Sequence, residues 1–96
     1  MRLDISKAAD ADLDDIIAYS AAEWGAGQGI DYVASFKIAF DRIVDNPGIG
    51  QRVSTRSGRL RKLKHRKHIF YYGSDETRIL IVRVLHASMD ASRHLT

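Results

Sequence analysis

The sequence predicts an α+β fold: an N-terminal strand, then an antiparallel helical hairpin packed on a mainly antiparallel sheet of three to four strands, then a short C-terminal helix. Three observations predict it. Residues 7–44 carry two apolar stripes at helical spacing, residues 59–85 carry three strand-like runs rich in β-branched and aromatic side chains, and Asn46-Pro47 stops the helical half because proline cannot continue the backbone ladder. At 96 residues with 45% hydrophobic content, residues 1–96 are expected to form one domain with a single core.

Arg2 to Ser6 alternate polar and apolar, with Leu3 and Ile5 on one side, as in a short half-buried strand. Ser6 is placed to cap a helix whose first turns carry Asp10 and Asp12 near the positive end of the dipole. Ala9, Leu13, Ile16, Ile17, Ser20 and Trp24 then form one stripe, so the first helix should run from Lys7 to Trp24. Gly25, Gly27 and Gly29 read as a hairpin link, not a phosphate loop, because no strand precedes GAGQG and no Lys-Ser or Lys-Thr follows at the required spacing. A second stripe of Ile30, Val33, Phe36, Phe40, Ile43 and Val44 predicts one helix antiparallel to the first, with Trp24, Phe36 and Phe40 in the core.

The segment PGIGQRVSTRSG reads as an exposed loop, followed by strands at Arg59–Lys64, Lys67–Tyr72 and Thr77–Leu85, the last two joined by a turn at Gly73 to Glu76. Unbroken alternation in the last strand puts Ile79, Ile81, Arg83 and Leu85 on one face and Leu80, Val82, Val84 and His86 on the other. Tyr71 and Tyr72 then point to opposite faces, one to the helices and one to an open groove. Ser88 to Leu95 are expected to form one or two helical turns capped by Ser88.

Charge is divided between the halves. Met1 to Asp45 hold nine acids against four Lys or Arg, whereas Asn46 to Thr96 hold three against eleven, so the halves sit at −5 and +8 and sum to the net +3. The run from Arg56 to His68 alone has seven Lys or Arg, two His and no acid. Such a surface fits an acidic partner, or an edge strand whose cations block unwanted pairing. There is no cysteine, hence no disulfide, thiol nucleophile or Cys-based zinc site; four His without an HxxxH-like pair predict neither a metal nor a cofactor. The longest apolar run, near Ile79, is far short of the roughly 20 residues of a membrane span, and the N-terminus has no secretory apolar stretch, so a cytoplasmic protein without membrane contact is expected.

The pieces ADLDDIIAYSAAEWG, DYVASFKIAFDRIVDNPGIGQ, LRKLKHRKHIFYY and IVRVLHASMDASRHL, in this order, resemble the ParE branch of the RelE/ParE toxin superfamily over nearly the whole chain. NPGIG and RVLHASMDASRHL are the specific parts. The resemblance implies a RelE/ParE-like fold and the toxin of a bacterial type II toxin–antitoxin system, neutralised by a ParD-like antitoxin. ParE members are known mainly for poisoning DNA gyrase, and RelE members for cutting mRNA on the ribosome. The expected activity is therefore gyrase inhibition by binding, without catalysis. A RelE-type endoribonuclease and a non-toxic basic nucleic-acid-binding module are the alternatives.

Contact with the target is expected from the basic edge and the tail, at Arg61, Lys64, Arg83, His86, Met89 and Arg93. The antitoxin is expected to cover the hairpin stripe and the open sheet face, meeting Tyr72, Ile79, Ile81 and Arg83. A nuclease would instead need a base, an acid and phosphate-binding cations, for which His65 or His68, His86, and Arg61 with Arg83 are the candidates by residue type. Met89 stands where RelE proteins usually carry an aromatic or catalytic side chain near the C-terminal end, which weighs against that reading. Arg83, the one charge in an apolar strand, must be paired if buried, either with Asp90 or a helix acid or through a functional contact.

Overall fold

The computed structural model describes residues 1–55 and 58–95, so Arg56 and Ser57 of the expected loop and basic run lie outside the described residues. The chain folds as α+β: β1 (Arg2–Ile5), α1 (Lys7–Trp24), α2 (Ala26–Ala34), α3 (Phe36–Asp45), a 3-10 turn at Pro47–Ile49, β2 (Gln51–Thr55), β3 (Gly58–His65), β4 (His68–Ser74), β5 (Arg78–His86) and a 3-10 turn at Ala91–Arg93. The sheet has five strands in the order β1-β5-β4-β3-β2; β1 runs parallel to β5 and the other pairs are antiparallel.

Helix α1 has the bounds its sequence predicts, and the Ser6 hydroxyl accepts from the Ala9 N–H at 3.0 Å as an N-cap. The glycine-rich link shrinks to Gly25, because Gly27 and Gly29 lie inside α2. Gly29 is where the two helices touch: a Cβ there would come within 2.7 Å of the Ile17 carbonyl oxygen. The expected second helix is divided at Ser35 into α2 and α3. Ser35 Oγ donates to the Tyr32 carbonyl one turn back, a local bond that competes with the helical ladder and bends it.

The expected loop at 47–58 contains a strand, β2, whose partner is β3, with Val53 opposite Leu60 and Arg52 opposite Arg61. The tail turn is capped by Asp90, which accepts from the Ser92 N–H, and not by Ser88.

One irregularity rearranges the faces of the sheet. Tyr71 pairs with Arg83 but Tyr72 pairs with Ile81, so a bulge at Val82 reverses the parity of β5. Ile79 and Ile81, then Val84, face the helices with Phe70, Tyr72, Phe36, Ala39 and Ile43, whereas Leu85 joins Tyr71 and Leu95 in a smaller cluster on the opposite face. The shared face expected for Ile79, Ile81, Arg83 and Leu85 therefore breaks between Ile81 and Arg83. Phe36 and Phe40 meet Phe70 with ring centroids 4.9 Å apart, as their core placement requires. Trp24 is not in the core: at 56% exposure it projects from the last turn of α1, beyond the sheet that covers the rest of the stripe.

Candidate functional site

Where β1 ends, α1 takes over the edge of β5. Ser6 Oγ donates to the Val82 carbonyl at 2.7 Å, and Asp12 Oδ2 accepts from the Val84 N–H at 2.9 Å. The same Asp12 carboxylate holds Arg83 in a fork, Oδ2 to Nε and Oδ1 to Nη2, both at 2.8 Å. Arg83 is thus paired with a helix acid and not with Asp90, which bonds Ser92 and Arg93. These hydrogen bonds to Asp12 raise the guanidinium pKa further. Arg83 also reaches the His94 carbonyl at 3.4 Å, tying the tail to the sheet.

Beside this edge an open cleft of about 1040 Å³ lies between the α1–α2 wall and the ends of β4 and β5. One wall carries Asp15, Asp31, Tyr19 and Trp24; the other carries Arg66, Lys67, His68, His86 and Met89. Tyr19, Trp24 and Met89 are all at least half exposed, an apolar surface within a charged frame. The two-residue turn Arg66-Lys67 closes one end. Lys67 Nζ sits 5.5 Å from the centre of the Trp24 ring and the Arg66 guanidinium 6.0 Å from that of Tyr32, within cation–π range. Arg66 has a left-handed backbone, φ 54°, which costs a non-glycine residue about 1 kcal/mol and is held by the strands on either side.

Three histidines floor the cleft and its neighbourhood. His68 Nδ1 meets the Tyr32 hydroxyl at 2.7 Å, and its ring lies 5.3 Å from that of His86. His65 Nε2 meets Ser35 Oγ at 3.0 Å, while His86 Nδ1 accepts from the Ser88 N–H at 3.1 Å. Burial, helped by the cations around it, holds His68 down at about 4; burial and then Arg66 and Arg42 lower His65. Burial raises the Tyr32 phenol, so the hydroxyl that meets His68 stays neutral.

The sign of the pH effect follows. An unfolded imidazole takes up its proton near about 6.5, the folded His68 only near about 4, so its contribution is complete above pH 6.5 and is lost as the pH falls toward 4. Denaturant midpoints should fall by about 2 kcal/mol of stability between pH 7 and pH 4.5, with His65 adding in the same direction. His68→Gln should flatten that profile, and a flat wild-type profile would contradict a neutral, enclosed His68.

The residues singled out by sequence divide into separate groups. Tyr72, Ile79 and Ile81, expected to meet an antitoxin, are enclosed at 0% exposure on the sheet face that the helices cover. Arg83 is occupied by Asp12, and Arg61 by the Gly48 and Gly50 carbonyls at 3.3 and 2.8 Å. Lys64, Met89 and Arg93 are exposed, but only His86 and Met89 of the expected target-contact set line the cleft. His68 and His86 do come together there, while Arg83 follows the opposite face. Trp24, expected in the core, and Tyr19 enter the site unanticipated, whereas Arg66 and Lys67 come from the basic run expected to meet an acidic partner, in the symmetric HRKH whose outer histidines pair across a two-residue turn.

The chain is thus an α+β sheet bearing a three-helix layer beside an open aromatic cleft. It superposes on a solved structure of the chromosomal ParDE TA system from P. aeruginosa with a TM-score of 0.77, covering 90% of this chain and 95% of that one at 21% identity. Residues 3–91 match the model of the ParE toxin of the type II toxin–antitoxin system parDE, and the chain belongs to that family. It is 37% identical over 91 residues to Toxin ParE1 of Caulobacter vibrioides, spanning 95% of this chain and 94% of that protein. It is likewise 37% identical over 92 residues to Toxin ParE1 of Mycobacterium tuberculosis, again spanning 95% of this chain and 94% of that protein. No helix among the described residues is long and apolar enough to cross a membrane.

Proposed function

We propose that this toxin acts in the cytoplasm by binding DNA gyrase without catalysis, and that a ParD-like antitoxin neutralises it by occupying the α1–α2 cleft. The observation that carries the reading is the exposure of Trp24, Tyr19 and Met89 together inside a concave, charge-framed surface. Interfaces concentrate their energy in such aromatic anchors. The cleft suits an amphipathic helix whose apolar face meets Trp24 and Tyr19 and whose flanks meet Arg66 and Lys67 on one side, Asp15 and Asp31 on the other. His86 and Met89 belong both to this cleft and to the tail through which the toxin meets its target, with Lys64 and Arg93 as the outlying cations. An antitoxin seated there excludes the target by direct overlap.

The histidines support binding better than cleavage. His65, His68 and His86 each spend a ring nitrogen on Ser35, Tyr32 or Ser88, and Arg83 is committed to Asp12. A nuclease would need that base, acid and cation to converge on one phosphate.

The test is supercoiling by purified gyrase with and without the toxin. Inhibition relieved by excess antitoxin is the expected result, and Trp24→Ala should weaken antitoxin binding by about 2 kcal/mol, roughly thirtyfold. If folded toxin leaves gyrase untouched but cuts mRNA on ribosomes, and loses that activity on replacement of His68 and His86, the RelE-type reading replaces this one.

A further inference from the structure

The register puts Arg52 opposite Arg61, Ser54 opposite Arg59 and Arg61 opposite Tyr72, so all of these side chains belong to the face on which Tyr72 and Phe70 meet the helices. Ser74, two residues beyond Tyr72, shares it. The helices do not reach this end of the face: Arg52, Ser54, Arg59 and Ser74 are exposed and line a depression of about 400 Å³. Val53 and Leu60, which alternate with them, turn to the other face and pack on Tyr71, Leu85 and Leu95. The depression is therefore lined by three guanidiniums, two serine hydroxyls and no carboxylate.

Like charges directly opposed across an antiparallel pair destabilise it. Among the described residues no carboxylate forms an ion pair with Arg52, Arg59 or Arg61. Instead, Arg61 is held in place by the Gly48 and Gly50 carbonyls. The three cations form a row, not a single focus: Arg59 and Arg61 are two residues apart along β3, roughly 7 Å, and Arg52 lies about 5 Å across on β2. A row suits a ligand with repeated negative charge. Arginine forks and hydroxyls match phosphate oxygens, and no apolar side chain is directed into the depression to hold a peptide. Its one aromatic, Tyr72, is 0% exposed, so the bases of a single strand would have no surface on which to stack.

We propose that this end of the sheet binds the phosphate backbone of duplex DNA, with Arg52, Arg59 and Arg61 neutralising neighbouring phosphates and Ser54 and Ser74 donating to their oxygens. The contact positions the toxin without reading sequence. The choice of DNA over duplex RNA rests on the gyrase reading, because gyrase holds DNA; the experiment contains no gyrase, so its outcome is separate from that of the supercoiling test.

The full chain, isotope-labelled, is titrated with a short blunt DNA duplex, and its affinity is measured by anisotropy across a salt series. Amides of β2, of Arg59 and Arg61 and of Ser74 should shift. Three neutralised phosphates predict a fall in affinity of roughly twentyfold between about 50 and 150 mM salt. Arg52→Gln with Arg59→Gln should reduce that fall to about threefold, while Arg52→Lys with Arg59→Lys should keep most of it. Lys7→Gln with Lys37→Gln removes the same charge from exposed positions elsewhere and should leave the salt dependence unchanged. Free-state spectra show whether each variant is folded, and the shifts in the unmodified protein locate the site without any variant. The proposal is overturned by absence of binding at low salt, by shifts that bypass β2 and β3, or by a salt dependence that the two glutamines do not alter. Equal or tighter binding of duplex RNA, oligothymidylate or a polyglutamate peptide at these residues would overturn it as well.

Discussion

Replacing Asp12 with alanine should destabilise the protein by about 3 kcal/mol, lowering its thermal midpoint by roughly 15 °C. The carboxylate completes three bonds of 2.8–2.9 Å, two to Arg83 and one to the Val84 N–H. Its own side chain is 12% exposed and that of Arg83 22%. Alanine leaves an enclosed guanidinium without its counter-charge and an edge N–H of β5 without an acceptor, and removing one partner of such a group costs more than the pair contributes. Asp12→Asn keeps an oxygen for Val84 and should cost less. Arg83→Met should be milder still, because it removes the stranded charge along with the bond. The double variant Asp12→Ala with Arg83→Met should then be more stable than the sum of the single changes implies, which a thermodynamic cycle measures directly. Strict additivity would mean that Asp12 acts through Val84 alone.

That pairing shows how far the sequence could be read. The demand that Arg83 be paired was legible, because a lone charge in an apolar strand has to be. The choice between Asp90 and a helix acid was not. It depends on β1 stopping at Ile5, so that the first turns of α1 lie along the uncovered half of β5. Helix α1 was legible to the residue because its cap and its stripe agree. Strand β2 was hidden because Pro47, Gly48, Gly50 and Gly58 around it read as loop, and only pairing with β3 makes Gln51–Thr55 extended. The most consequential loss came from the single extra residue at Val82. A bulge has no compositional mark, yet it reverses every later side chain of β5, so that Leu85 packs on the face opposite to Ile79 and Ile81. Trp24 failed differently: it obeys the helical period, but the helix outruns the sheet beneath it. Periodicity states which way a side chain points, not what lies there.

Gly50→Ala should cost about 3 kcal/mol, at the upper end for one added methyl group. The reason lies in NPGIG, one of the two segments that carry the family resemblance. The Tyr72 hydroxyl, fully enclosed, donates to the Pro47 carbonyl at 2.7 Å and accepts from the Gly50 N–H at 2.9 Å, so one phenol fastens the turn between α3 and β2 to the middle of the sheet. A Cβ on Gly50 would lie 2.7 Å from that hydroxyl and 2.8 Å from the Lys62 carbonyl. The carbonyl belongs to the β2–β3 ladder and cannot retreat, and the ring is packed among Phe70, Ile79 and Ile81. Tyr72→Phe tests the same lock from the other side. It keeps the packing, leaves the Gly50 donor and the Pro47 acceptor unpaired, and should cost about 1–3 kcal/mol. Because Arg61 is tethered to the Gly48 and Gly50 carbonyls, both substitutions should also raise amide exchange in β2, an edge strand paired only with β3. If Gly50→Ala unfolds at the wild-type midpoint with β2 still protected, the turn has room that its geometry denies, and Gly50 would not be held by packing against Tyr72 and Lys62.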